Sequence, residues 1–122
     1  LEMMNLNLVE LVNQTSAEFE EKFEARNLKM IMNLPTEPAT IYADGRRMWR
    51  VLANVFNNAA KYAMEGSRVY VDVVQTGEEV QLTIKNVSEQ PLNISADDLT
   101  ERFIRGDEAR KEAGLVFRLH RI

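Results

Sequence analysis

A chain of 122 residues, 45% hydrophobic and 28% charged with net charge −4, is sized and composed for one globular domain with a real core. The acidic balance argues against a nucleic-acid surface. The absence of cysteine excludes disulfides, thiolate catalysis and Cys-based zinc sites, and a single histidine, His120, excludes a His-cluster metal site. No apolar run approaches the roughly 18–20 residues of a membrane span, and no signal-peptide pattern opens the chain. The expectation is a soluble, intracellular-type domain, open to being part of something longer.

Residues 3–8 are apolar at alternate positions (Met4, Leu6, Leu8) and predict a short strand leading into a helix. Over 9–25 the stripe Leu11, Val12, Phe19 and Phe23 predicts one helix, with Glu18, Glu20, Glu21, Lys22 and Glu24 as its solvated face and Asn27 ending it. Residues 28–34 read as a strand closed by Pro35 and a turn at Pro38, and Met3, Met4, Met30 and Met32 read as core filler. Ile41, Tyr42 and Ala43 form a short strand. Residues 68–75 and 80–87 alternate and are joined by Thr76-Gly77-Glu78-Glu79, which predicts an antiparallel hairpin. Ser95 is placed as the N-cap of a short helix over 96–103, with Asp97 and Asp98 in its first turn. Residues 116–122 alternate like a final strand.

The strongest element lies between these strands. Behind Asp44 as N-cap, Met48, Leu52, Val55, Phe56, Ala59 and Ala63 fall on one helical face. Arg47, Arg50, Asn54, Asn57, Asn58 and Lys61 fall on the other, with Tyr62 at its edge. Between Asp44 and Glu65 there are basic residues but no acid. A solvated face ordinarily mixes signs, because i,i+4 ion pairs stabilise it slightly. Amide carbonyls beside cations suit a polyanion carrying a metal ion. A basic solvated face with an asparagine cluster of no chemical meaning is the plainer alternative.

The order Leu52-Ala53-Asn54-Val55-Phe56-Asn57-Asn58-Ala59-Ala60-Lys61-Tyr62-Ala63 resembles the N box of sensor histidine kinases, in the ATP-binding catalytic domain of the GHKL superfamily. The resemblance implies that Asn58 gives its amide oxygen to Mg²⁺, that Asn54 and Lys61 lie toward the phosphates, and that Tyr62 stacks near the adenine. A single amide carbonyl suffices, since Mg²⁺ in nucleotide sites keeps phosphates and waters as its other ligands. Asn86, ending the second hairpin arm, stands where this family's G1 box has an adenine-reading Asp, and the usual glycines after it are missing. An Asn can accept from the exocyclic amine, and it can donate as well; it is also a common strand-ending residue. Residues 98–107, with Phe103 and Arg105, resemble the F box, in which a Phe packs under a mobile ATP lid. Of the second glycine-rich box, whose amides would cradle the triphosphate at a helix N-terminus, only Ala113-Gly114-Leu115 remains.

The implied fold is α+β: a two-layer α/β sandwich of the Bergerat type, with helices on one face of a mixed, largely antiparallel sheet. The implied function is a catalytic domain over 1–122, its lid around 110–115 shortened or outside this sequence. It would bind Mg-ATP and donate the γ-phosphate to a histidine on a separate dimerisation domain, and a response regulator would then receive the phosphoryl group. No catalytic residue is assigned within the chain, and His120 reads as structural or solvent-exposed. The resemblance further implies a homodimeric, membrane-anchored bacterial sensor, with this domain on the cytoplasmic side of the inner membrane. Two other readings stand: another GHKL ATPase or serine-protein kinase, and a degenerate interaction module that binds no nucleotide.

Overall fold

The computed structural model describes residues 1–87, 101–105 and 112–121; for 101–105, 112, 113 and 120 it describes the backbone alone. In chain order the elements are β1 (Met3–Asn7), α1 (Leu8–Glu18), α2 (Glu20–Ala25), β2 (Lys29–Asn33), β3 (Thr40–Asp44), α3 (Gly45–Tyr62), β4 (Arg68–Thr76), β5 (Glu79–Val87), β6 (Glu101–Arg105) and β7 (Glu112–His120). Five strands form one sheet in the order β2-β4-β5-β7-β6, parallel between β2 and β4 and antiparallel elsewhere. β1 and β3 form a separate antiparallel ribbon, which an isolated bridge from Ile41 to Arg121 ties to the end of the large sheet.

Alternation in the strands gives this sheet one apolar face. Val69, Val71 and Val73 are buried beside Ile84, Leu82 and Val80, while Tyr70, Val74 and Lys85 point the other way and are exposed. That apolar face joins Met48, Leu52, Val55, Phe56 and Ala59 of α3 and Leu8 and Val12 of α1 in one core. The expected sandwich, with helices on one face of a mixed sheet, is the fold observed.

The single helix expected over 9–25 is two. Phe19 breaks it, with φ −107° and ψ 6°, although neither Pro nor Gly marks the spot. Buried Thr15 and Ser16 turn their hydroxyls back onto the carbonyls of Leu11 and Asn13, at 2.8 and 3.0 Å, just before the break. The kink lets Phe19 and Phe23 both reach Phe56 of α3, at ring-centroid separations of 6.0 and 6.4 Å. Asn27 ends the segment as expected, in the left-handed region at φ 55°.

Three further expectations are corrected. Residues 101–103 belong to strand β6 and not to a helix, because β7 offers a full antiparallel partner from Phe117 to Ala113. Ser95 and 96–100 lie outside the described residues. Met3 and Met4 are 43% and 51% exposed and fill no core, whereas Met30 and Met32 do pack against it. The last strand also begins earlier than its alternation suggested, at Glu112, and takes in Gly114. A Cβ there would meet the Ile84 carbonyl oxygen and Lys85 Cγ, each at 3.0 Å. Gly114 therefore serves close strand packing.

Candidate functional site

Asp44 opens α3 as expected. Its Oδ1 accepts the N–H groups of Arg46 and Arg47 at 3.0 and 3.1 Å, and its Oδ2 accepts that of Glu2 at 2.7 Å. These backbone donors, Glu2 first, hold its carboxyl below the ordinary aspartate value. A folded-state value below the unfolded one stabilises above the ordinary aspartate range, and the contribution fades as pH falls through the depressed value. Asp44→Asn keeps a capping acceptor but cannot titrate. Its urea midpoint is therefore expected to fall less than the parent's between about pH 6 and about pH 3; equal acid losses would show that Asp44 contributes nothing to the slope.

The buried face of α3 is Met48, Val51, Leu52, Val55, Phe56, Ala59 and Ala60. On the face turned from the core, Arg46, Arg47, Arg50, Asn54 and Lys61 are exposed, and Asn57, Asn58 and Tyr62 are half-buried. The three asparagines are not equivalent. The Nδ2 of Asn58 donates to the carbonyl of Asn54 at 2.9 Å, a bond that leaves its Oδ1 unused. The Oδ1 of Asn57 instead accepts from Lys22 Nζ at 3.3 Å, tying α3 to α2. Asn54 takes part through its backbone carbonyl. Lys61 lies one turn beyond Asn58, near Tyr62.

At the far end of α3, Arg26 donates to the carbonyls of Ala60 and Lys61 at 2.9 and 3.0 Å and satisfies helix-end acceptors. Nothing in the sequence signals this contact between residues so far apart. The N–H of Met64 donates to the carbonyl of Val87 at 2.7 Å, fastening the helix exit to the end of β5. Asn86 precedes Val87, pairs with Val69 on the apolar face, and is 4% exposed. Its Nδ2 is buried without a hydrogen-bond partner. In the register of the sheet Asn86 pairs with Ala113 and Ala113 with Arg105, so Arg105 stands in the same row two strands away, about 10 Å off. Phe103 pairs with Leu115 in the next row but one. The side chains of Phe103 and Arg105 lie outside the described residues, as do 88–100 and 106–111, and so does the side chain of His120.

The structure thus gathers Asn54, Asn58, Lys61 and Tyr62 on one helix face and brings Asn86 to the seam at that helix's end. Among the described residues no group of His, Cys, Asp or Glu could hold a metal ion. Any cation here would rest on amide oxygen and ligand. A cavity of about 290 Å³ lies at the end of the β4–β5 pair, lined by Arg68, Tyr70, Asp72, Lys85, Asn86 and Val87, so Asn86 also borders space outside the α3 stripe.

No protein-family model matches the chain. The signal transduction histidine-protein kinase BaeS of Escherichia coli strain K12 is 26% identical over 108 residues, which is 88% of this chain and 23% of BaeS. The alginate biosynthesis sensor protein KinB of Pseudomonas aeruginosa is 25% identical over 119 residues, 98% of this chain and 20% of KinB. The catalytic domain of the histidine kinase ThkA superposes with a TM-score of 0.80 at 17% identity, covering 98% of this chain and 97% of that domain. The chain is a relative of sensor histidine kinases, folded as their catalytic domain. This histidine-kinase-type domain spans about a fifth to a quarter of the length of the two sensor proteins. Among its described residues no helix is long and apolar enough to cross a membrane.

Proposed function

We propose that this domain binds Mg-ATP along the polar face of α3 and supplies the γ-phosphate to a histidine on a dimerisation domain in two-component signalling. The observation that carries the reading is the Asn58 amide. Its N–H is held by the Asn54 carbonyl, leaving Oδ1 as an oxygen ligand on a helix that carries no acid. In this proposal Asn58 holds Mg²⁺, while Lys61 and the neighbouring Asn54 meet the phosphates. Tyr62 and Asn86 face the base, and Phe103 and Arg105 stand on the lid side. Bound Mg-ATP would supply the transferable phosphoryl group; the domain's own work is positioning and charge stabilisation. The unpartnered Asn86 amide is consistent with a ligand at that seam. With Gly114 taken into β7, the grip on phosphate proposed among the described residues is that of the α3 side chains.

Two neighbours support this reading. ShkA was solved full-length with AMPPNP, and ThkA with its response regulator TrrA. By the same likeness, the proposed partners are a dimerisation domain and a response regulator. The proposed setting is a homodimeric, membrane-anchored bacterial sensor with this domain on the cytoplasmic side. The named relatives being sensor kinases favours this over a serine-protein kinase.

Calorimetric titration of the 122-residue chain with Mg-ATP is expected to show binding. Incubation with labelled ATP is expected to leave no stable phosphoryl group on the chain, whose single histidine is His120. Absence of binding would make it an interaction module, and stable label on His120 would overturn the donor-only role.

A further inference from the structure

A buried amide hydrogen with no acceptor is costly enough that a partner from outside the chain is the natural explanation. Asn86 presents one, at 4% exposure, where the exit of α3 is fastened to β5 through Met64 and Val87. A carboxylate in this position would only accept. A carboxamide offers a donor and an acceptor in one plane, and a half-turn about its last side-chain bond exchanges them. A 6-aminopurine presents a donor at the 6-position beside the N1 acceptor. A 6-oxopurine presents an acceptor at the 6-position beside an N1–H donor. The carboxamide complements both edges, one in each orientation.

We infer that Asn86 makes the site permissive at the purine 6-position, so that 6-oxopurine nucleotides are taken alongside ATP; the inference rests on the nucleotide reading proposed above. The placement suits it. Asn86 stands in the cross-strand row of Ala113 and Arg105 and beside the helix end that carries Lys61 and Tyr62. The base edge would therefore meet an amide that no other described residue occupies.

The test is displacement of a fluorescent adenine nucleotide from the 122-residue chain by the Mg²⁺ complexes of ATP, ITP and GTP. ITP isolates the 6-oxygen, because it lacks the 2-amino group of GTP. ATP and ITP are expected to displace within about tenfold of each other. In Asn86→Asp the 6-oxygen would face an acceptor only, and the ratio is expected to widen by roughly 5- to 100-fold in favour of ATP. Should that variant fail to fold, the ratio in the parent protein still decides. ITP weaker than ATP by more than tenfold in the parent would overturn the inference and leave ATP binding intact. An Asp variant that discriminates no better would also overturn it. If neither the fluorescent nucleotide nor ATP binds, the nucleotide reading falls first and takes this inference with it.

Discussion

Asn58→Ala is expected to weaken binding of Mg-ATP by roughly tenfold or more while leaving binding of adenosine without metal almost unchanged. Bonds to a charged partner contribute about 1.5–3 kcal/mol, and only the metal-bearing ligand would use the Asn58 oxygen. The helix itself should not suffer. Alanine is the better helix former, and the amide removed was spending its N–H on the Asn54 carbonyl one turn back. Asn57→Ala is the matched control. That residue accepts from Lys22 at 3.3 Å on the exposed seam with α2, and its loss should change nucleotide affinity little. The measurement is titration of both variants with Mg-ATP and, separately, with adenosine in the presence of a chelator. Equal losses at 57 and 58 would return the asparagines to a polar surface without chemistry.

The second large effect concerns the seam rather than the site. Phe56 is fully buried and carries the ring contacts to Phe19 and Phe23 on either side of the α1–α2 kink. Phe56→Ala should cost about 3–5 kcal/mol, because the transfer term is joined by a cavity that the kinked helix pair cannot close. A domain of this size has about 5–15 kcal/mol in total, so the variant would sit close to unfolding. Its melting temperature is expected to drop by roughly 10 to 20 °C. Trp49→Ala, at a position 43% exposed on the same helix, should move it far less. If Phe56→Ala lost less than about 1 kcal/mol, the aromatic cluster would not be what docks the kinked helices onto α3.

Much of this architecture was legible before any coordinates. α3 announces itself through a 3.6-residue apolar stripe behind an Asp cap, and β4 and β5 through strict alternation around Gly77, because burial against one layer imposes a local period. The polar stripe of α3 follows from the same periodicity, so Asn54, Asn58 and Lys61 could be grouped from the chain alone. Tertiary structure decided what local pattern cannot encode. Phe19 breaks a helix in which nothing forbids continuation, because two phenylalanines gain burial against Phe56 by the kink. Residues 101–103 are strand where the local signals favoured helix, since an unpaired edge of β7 outweighs a weak short-range preference. The distinct roles of Asn57 and Asn58, neighbours on one stripe, depend on Lys22 arriving from another helix. The same is true of Asn86: its residue type was visible, but the unpaired buried amide arises only when β5 is laid under the end of α3. Those contacts join residues far apart in the chain, and periodicity, which is local, carries no record of them.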